Sequence, residues 1–193
     1  MAVVAANLMV GPGRLRYAPV GTPDLDIVAA AVADHTDWED VGPTDDGVNM
    51  AVAKSYANHT VDQVPDWVAS TITERNTSVE VNLADPTLEN LKLSLNGGTV
   101  EEGVGTAAIW DKFEPVTDLI GTQEEYTAFT VEGKTLGGLG RIVVIRRALN
   151  VDNVAFAYKK DGKTMFACNW AGHFVSDSIP PFAVYTKRVA ALP

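Results

Sequence analysis

The sequence predicts a mainly β fold with one short flanking α-helix, over about residues 86–96. Three observations carry this. Stretches of alternating polar and apolar residues, rich in β-branched and aromatic side chains, recur along the chain. One segment alone has a helix start, an apolar stripe and a stop. Asp161-Gly162 is a hairpin signal, because both central positions of a type I′ turn require positive φ. With 193 residues and 46% hydrophobic content the chain can fill one core, so a single domain is expected.

Arg14-Leu15-Arg16-Tyr17-Ala18-Pro19-Val20 alternates after a Gly-Pro-Gly turn and reads as the first strand. Residues 21–46 have no clear period; alanines at 29–33 allow a short helix over residues 27–33, and residues 34–46 hold six acids and no base. Residues 48–56 and 64–73 are the next strands, joined by the polar loop Ala57-Asn58-His59-Thr60-Val61-Asp62-Gln63. Pro65 cannot donate to a ladder and places the second of them at an edge or bulge.

Val79, Val81 and Leu83 alternate with Ser78, Glu80 and Asn82, the pattern of a strand with one buried face. The helix follows at once. Asp85 is expected to accept from the free amides of its first turn, Pro86 suits the first helical position, and Glu89 adds favourable charge there. Leu88, Leu91 and Leu95 form the stripe, and Asn96-Gly97-Gly98 the left-handed stop. About ten residues are too few for a helix to hold alone in water, so it must pack on a sheet. Strand composition returns over residues 126–131, 141–147, 154–158, 164–170 and 182–188. Folding at Asp161-Gly162 sets Tyr158 opposite Met165, Ala157 opposite Phe166 and Phe156 opposite Ala167.

The net charge of −10 is unevenly spread: residues 1–133 hold 22 of the 25 acids and 6 of the 15 bases, a net of −16, while residues 134–193 carry +6. An acidic chain is a poor ligand for nucleic acid, since affinity for phosphates comes from lysine and arginine releasing counterions. Opposite charges in different parts of one molecule favour head-to-tail self-association, although the acids serve equally as a solvated surface. No run approaches the roughly 18 apolar residues of a membrane span, and Met1 to Val10 lacks a basic signal start, so a soluble chain outside the membrane is expected. The sequons at Asn58 and Asn76 would then be without consequence.

Motifs for chemistry are absent or misplaced, and the reading is not an enzyme, with no cofactor and no metal. Gly137-Gly138-Leu139-Gly140 precedes a strand, whereas a dinucleotide loop follows one and opens a helix, so a hinge or bulge is expected. His35, His59 and His173 lack ligand spacing, and lone Cys168 reads as a small core residue. His173, Ser176, Asp177 and Ser178 hold the atoms of a triad on one short segment that cannot normally reach relay geometry.

Two stretches resemble the signature of the major tail tube proteins of long, non-contractile-tailed (siphovirus-type) phages. They are Trp38-Glu39-Asp40-Val41-Gly42-Pro43-Thr44-Asp45-Asp46-Gly47-Val48 and Val79-Glu80-Val81-Asn82-Leu83-Ala84-Asp85-Pro86-Thr87-Leu88-Glu89-Asn90-Leu91. Trp38, Gly42 and Asp46-Gly47 follow the family order, Asp62-Gln63 stands for its polar pair, and Asp85, Pro86, Leu88 and Leu91 match its helix start. Asn7-Leu8-Met9-Val10-Gly11-Pro12-Gly13 resembles the opening of such proteins from phages of actinobacteria.

The resemblance implies a β-sandwich or barrel spanning residues 1–193, with an extended N-terminal arm and a long inter-strand loop. It implies hexameric rings stacked into a hollow conduit for genome ejection, made in the host cytoplasm and resident in the virion. Its partners would be further copies, a tape measure protein inside, tail terminator and distal tail proteins at the ends, and double-stranded DNA passing without tight binding. Acidic groups on the wall would repel phosphates within about 10 Å at 0.1 M salt. Asp66, Glu74 and Glu80 are the lumen candidates, and strand alternation equally allows them to be plain solvent-facing residues. Asn58, His59, Thr60, Asp62 and Gln63, with Asp45 and Asp46, are the ring-stacking candidates, and the basic C-terminal third is their electrostatic partner. The competing reading is a monomeric β-sandwich carbohydrate-binding module that uses exposed members of Trp38, Trp67, Trp110 and Trp170.

Overall fold

The computed structural model describes residues 11–24, 37–104, 109–117, 124–134, 140–158, 160 and 162–187. The helix expected over residues 27–33, the opening residues 7–10, His35, Gly137 to Leu139 and Asp161 lie outside the described residues. In chain order the elements are β1 (Arg14–Pro19), β2 (Glu39–Asp40), β3 (Thr44–Val61), β4 (Val64–Leu83), α1 (Leu88–Ser94), β5 (Thr99–Glu101), β6 (Lys112–Glu114), β7 (Thr127–Lys134), β8 (Gly140–Asn150), β9 (Phe166–Gly172) and β10 (Phe182–Thr186). Among the described residues the fold is mainly β with one short helix, as the sequence predicts.

Seven strands follow the path β2-β1-β7-β8-β9-β4-β3, β10 joins through β8, and β5 pairs with β6 separately. The end strands β2 and β3 are separated only by Val41, Gly42 and Pro43. Three linking residues reach little more than about 14 Å, so the sheet must roll up to bring its ends together. The roll is visible in the packing. A Cβ on Gly13, just before β1, would lie 3.8 Å from Val48 of β3, and Leu15 shares one core with Val79, Val81 and Leu83 of β4.

That core follows the predicted alternation: Val79 and Leu83 are fully buried and Val81 nearly so. Phe166, Cys168 and Trp170 of β9 lie on the same side, and Trp170 packs on Phe129 of β7 with ring centres 4.3 Å apart. Cys168 is buried as expected and lies 3.3 Å from the Ser94 hydroxyl of α1. Beyond β1, Asp24 accepts from Arg146 of β8 at 2.6 Å and from the Tyr185 hydroxyl of β10 at 2.8 Å, tying the two strands to the start of the chain.

Four expectations need correction. The helix is capped by Thr87, not Asp85: the Thr87 hydroxyl accepts from the Asn90 amide at 3.2 Å, and Asp85 and Pro86 precede the first turn. Leu93 replaces Leu95 in the buried set, because the helix ends at Ser94 and leaves Leu95 on its exposed cap. The stop itself is as expected, with Asn96, Gly97 and Gly98 all at positive φ. Gly98 has a second reason, since a Cβ there would lie 2.6 Å from the Phe113 ring.

The polar loop over residues 57–63 is instead mostly strand, with β3 running to Val61 and β4 starting at Val64. Residues 154–158 form no strand. The edge of β9 they would use is filled by Asn150, whose carbonyl oxygen atom Oδ1 accepts from the Asn169 amide, and by Val151, whose amide donates to the Asn169 carbonyl. Their contacts also sit out of the expected register: Thr164 donates to the Ala157 carbonyl, and Phe156 packs edge-on against Phe166.

Candidate functional site

The two signature stretches, forty residues apart in sequence, meet in space. Gly42 turns at φ 91°, and a Cβ on it would lie 3.7 Å from the Asp85 side chain. The Ala84 amide donates to the Pro43 carbonyl at 3.0 Å. Asn90, almost fully buried, donates from Nδ2 to the Val41 carbonyl at 2.9 Å and to the Asp85 carbonyl at 2.8 Å. Trp38 is buried against Ala18, Ala128 and Val144 and anchors the other side of the turn. Asp46 and Gly47, both at positive φ, form the bulge that starts β3. Trp38, Gly42 and Asp85 therefore build one joint in the fold, and Asn90 is its central hydrogen-bonding residue. The sequence alone assigns Asn90 no role. The available signal was a polar side chain one position from Leu91 on the inner side of the helix.

From this joint β3 and β4 run out as one antiparallel hairpin. Thr77 is its last fully buried residue, opposite Val52; beyond it, residues 51–76 are exposed except for a half-buried Ala57. Opposed residues of an antiparallel pair share a face, and successive residues alternate. The core-facing side continues outward as Val52/Thr77, Lys54/Arg75 and Tyr56/Ile72. It carries large apolar groups into solvent, with Tyr56 at 53% and Ile72 at 57% exposure, beside two cations.

The opposite side is chemically different. Its pairs are Asn49/Glu80, Ala51/Ser78, Ala53/Asn76 and Ser55/Glu74, and β9 adds Ala167, Asn169 and Ala171 opposite Asn82, Glu80 and Ser78. With Asp45 opposite Asn82, these positions on three strands hold only Ala, Ser, Asn, Asp and Glu, and Lys163 reaches the base of the face to bind Asp45. Asn49 donates to Glu80 at 3.3 Å and Asn76 to Glu74 at 2.8 Å, so both carboxylates are held to the surface by neutral donors, and neither is in a salt bridge among the described residues.

Two of the three lumen candidates, Glu74 and Glu80, thus share this polar face, separated by six residues or roughly 20 Å of strand. Asp66 stands apart, past a register shift near the hairpin tip. The ring-stacking candidates fall into two places. Asn58, His59, Thr60, Asp62 and Gln63 form the far end of the hairpin, where Ser70 donates to Asn58 and His59 bonds Thr71, each at 2.7 Å. Asp45 and Asp46 lie at its base, and Asp45 is already bound by Lys163 at 2.6 Å.

The remaining chemistry is sparse among the described residues. No group of three or more His, Cys, Asp or Glu could hold a metal, and no helix is long and apolar enough to cross a membrane. His173 packs on Tyr126 with ring centres 5.0 Å apart, while the Ser176 hydroxyl bonds Ser178 and the Ile179 amide in a local turn. The larger cleft, about 890 Å³, lies between the helix end and residues 149–154, and neither it nor the smaller one beside Asp46 and Glu80 is lined by tryptophan. Trp67 and Trp110 are exposed, Trp38 and Trp170 buried. No protein-family model matches the chain, and no curated protein matches it.

Proposed function

We propose that the chain is the structural subunit of a phage tail tube, forming hexameric rings that stack into a conduit for double-stranded DNA. The observation that carries the reading is the polar face of β3, β4 and β9, whose strand positions bear Glu74 and Glu80 and neither lysine nor arginine, while Lys163 at its base is bound to Asp45. DNA presents one negative charge per about 1.7 Å of its axis and binds proteins through cations. A wall of small neutral side chains and carboxylates offers it nothing to grip. This face would line the channel, and the apolar, cationic face of the same hairpin would meet neighbouring subunits.

The hairpin supports assembly independently. A two-stranded ribbon alone is marginally stable in water, and all of residues 51–76 but Ala57 are exposed in this one. Further copies would supply the missing packing, and the split of −16 against +6 along the chain favours their attraction. The tape measure, terminator and distal tail proteins are the partners this reading entails, and the virion its place. Negative-stain electron microscopy of the purified protein tests it: hollow rings or tubes are expected, and a strict monomer at high concentration across salt conditions would overturn it.

A further inference from the structure

The outer edge of β10 is unpaired among the described residues. The Arg146 amide donates to the Pro181 carbonyl and the Lys187 amide to the Gly140 carbonyl, so odd-numbered residues from 181 to 187 direct their backbone groups at β8. Phe182, Val184 and Thr186 consequently turn theirs outward. Such an edge is a template for one more strand.

The position of that strand is fixed by the neighbouring pairs. Along β8, Ala148 faces Gly172 of β9 and Ile145 faces Phe182 of β10, so β10 continues the line of β9. On the far side of β9, Thr77 of β4 faces Gly172. Continued straight, β4 would bring residues 70–74 alongside β10, with Ile72 opposite Val184. It does not: among the described residues, residues 64–76 pair with β3 alone, leaving their own second edge unpaired. Each copy therefore carries a vacant edge and a free strand of matching direction and length.

We propose that residues 70–74 of one copy add as an antiparallel strand to β10 of the next. This rests on the reading of the chain as a self-assembling subunit and names the contact by which copies join. Charge agrees with the direction. Antiparallel addition takes the hairpin tip, with Asp62 and Asp66, to the end of the sheet where Lys134, Arg141 and Lys187 lie. Among the described residues none of these three cations is paired with a carboxylate.

The test uses two variants of the full chain. Proline at position 184 removes an outward amide and spares the bonds to β8, so Val184→Pro is expected to remain cooperatively folded yet form no rings where Val184→Ala does. Val184→Pro that assembles like Val184→Ala overturns the contact and leaves the tube reading standing. Wild-type protein that never assembles overturns both. The second variant, Ile72→Cys with Val184→Cys, keeps the test sharp should the proline variant misfold. After oxidation of the assembled protein, covalent multimers are expected on a non-reducing gel, with each single substitution as control beside the buried native Cys168. A disulfide formed only within one chain means that the hairpin closes on its own β10, and the absence of any disulfide in assembled particles likewise rejects the proposal.

Discussion

Asn90 joins the two signature stretches, and removing its side chain tests whether that joint matters to the fold. In Asn90→Ala the Val41 carbonyl loses its Nδ2 donor at 2.9 Å beside a nearly fully buried Val41, and the exposed Asp85 residue loses a bond that water can replace. Leaving a buried acceptor unpaired costs about 1–3 kcal/mol, and an ordinary exchanged bond about 1 kcal/mol. Alanine returns roughly 0.5 kcal/mol through its better helix propensity. The net expectation is a loss of about 2–3 kcal/mol, read as a lower urea midpoint at unchanged slope. Asn90→Asp should be worse at neutral pH, because it sets a carboxylate against two carbonyl oxygens. A loss below about 0.5 kcal/mol for Asn90→Ala, the size of an ordinary surface change, would refute the joint.

Three further outcomes are expected. Leu91→Ala should cost about 2–5 kcal/mol as a buried truncation, whereas Leu95→Ala should stay within about 0.5 kcal/mol; equal losses in urea melts would reject the corrected stripe. Gly98→Ala should cost more than the roughly 1–2 kcal/mol of left-handed backbone strain alone, since its Cβ also meets Phe113, and thermal melts beside Gly47→Ala, which has open space, would reveal the difference. Burial pushes the Cys168 thiol up to about 11 from its ordinary 9.0, with the Ser94 hydroxyl opposing, so the unfolded chain loses this proton first. That stability is complete below pH 9 and is lost by about 2 kcal/mol as pH rises through 11; Tyr17, raised by burial and by its bond to Glu39, adds in the same direction. Denaturant melts over this range should show a shallower decline for Cys168→Ala, and an identical decline would contradict the assignment.

Local patterns with a buried side were legible in the sequence. Residues 79–83 alternate against a filled core, and Asn96-Gly97-Gly98 marks a stop that needs no tertiary context. The length of the hairpin was not legible, because residues 51–76 face solvent on both sides and alternation carries no burial signal there. The cap was misplaced because Asp85 and Thr87 are both good acceptors, and only the approach of Gly42 to Asp85 decides between them. Residues 154–158 have strand composition but find their edge of β9 already taken by Asn150 and Val151. In the sequence Glu74 and Glu80 are separate strand residues with nothing to join them. That they share one polar face follows only from the register of β3, β4 and β9, which no local pattern contains.

The most direct test of the central claim is a reconstruction of the assembled particle by electron cryo-microscopy. The account predicts a six-fold hollow tube with Glu74, Glu80 and Asn169 on the channel wall and Tyr56 and Ile72 against neighbouring subunits. A particle without a channel, or one with Tyr56 and Ile72 on the wall and the two glutamates buried between subunits, would contradict it.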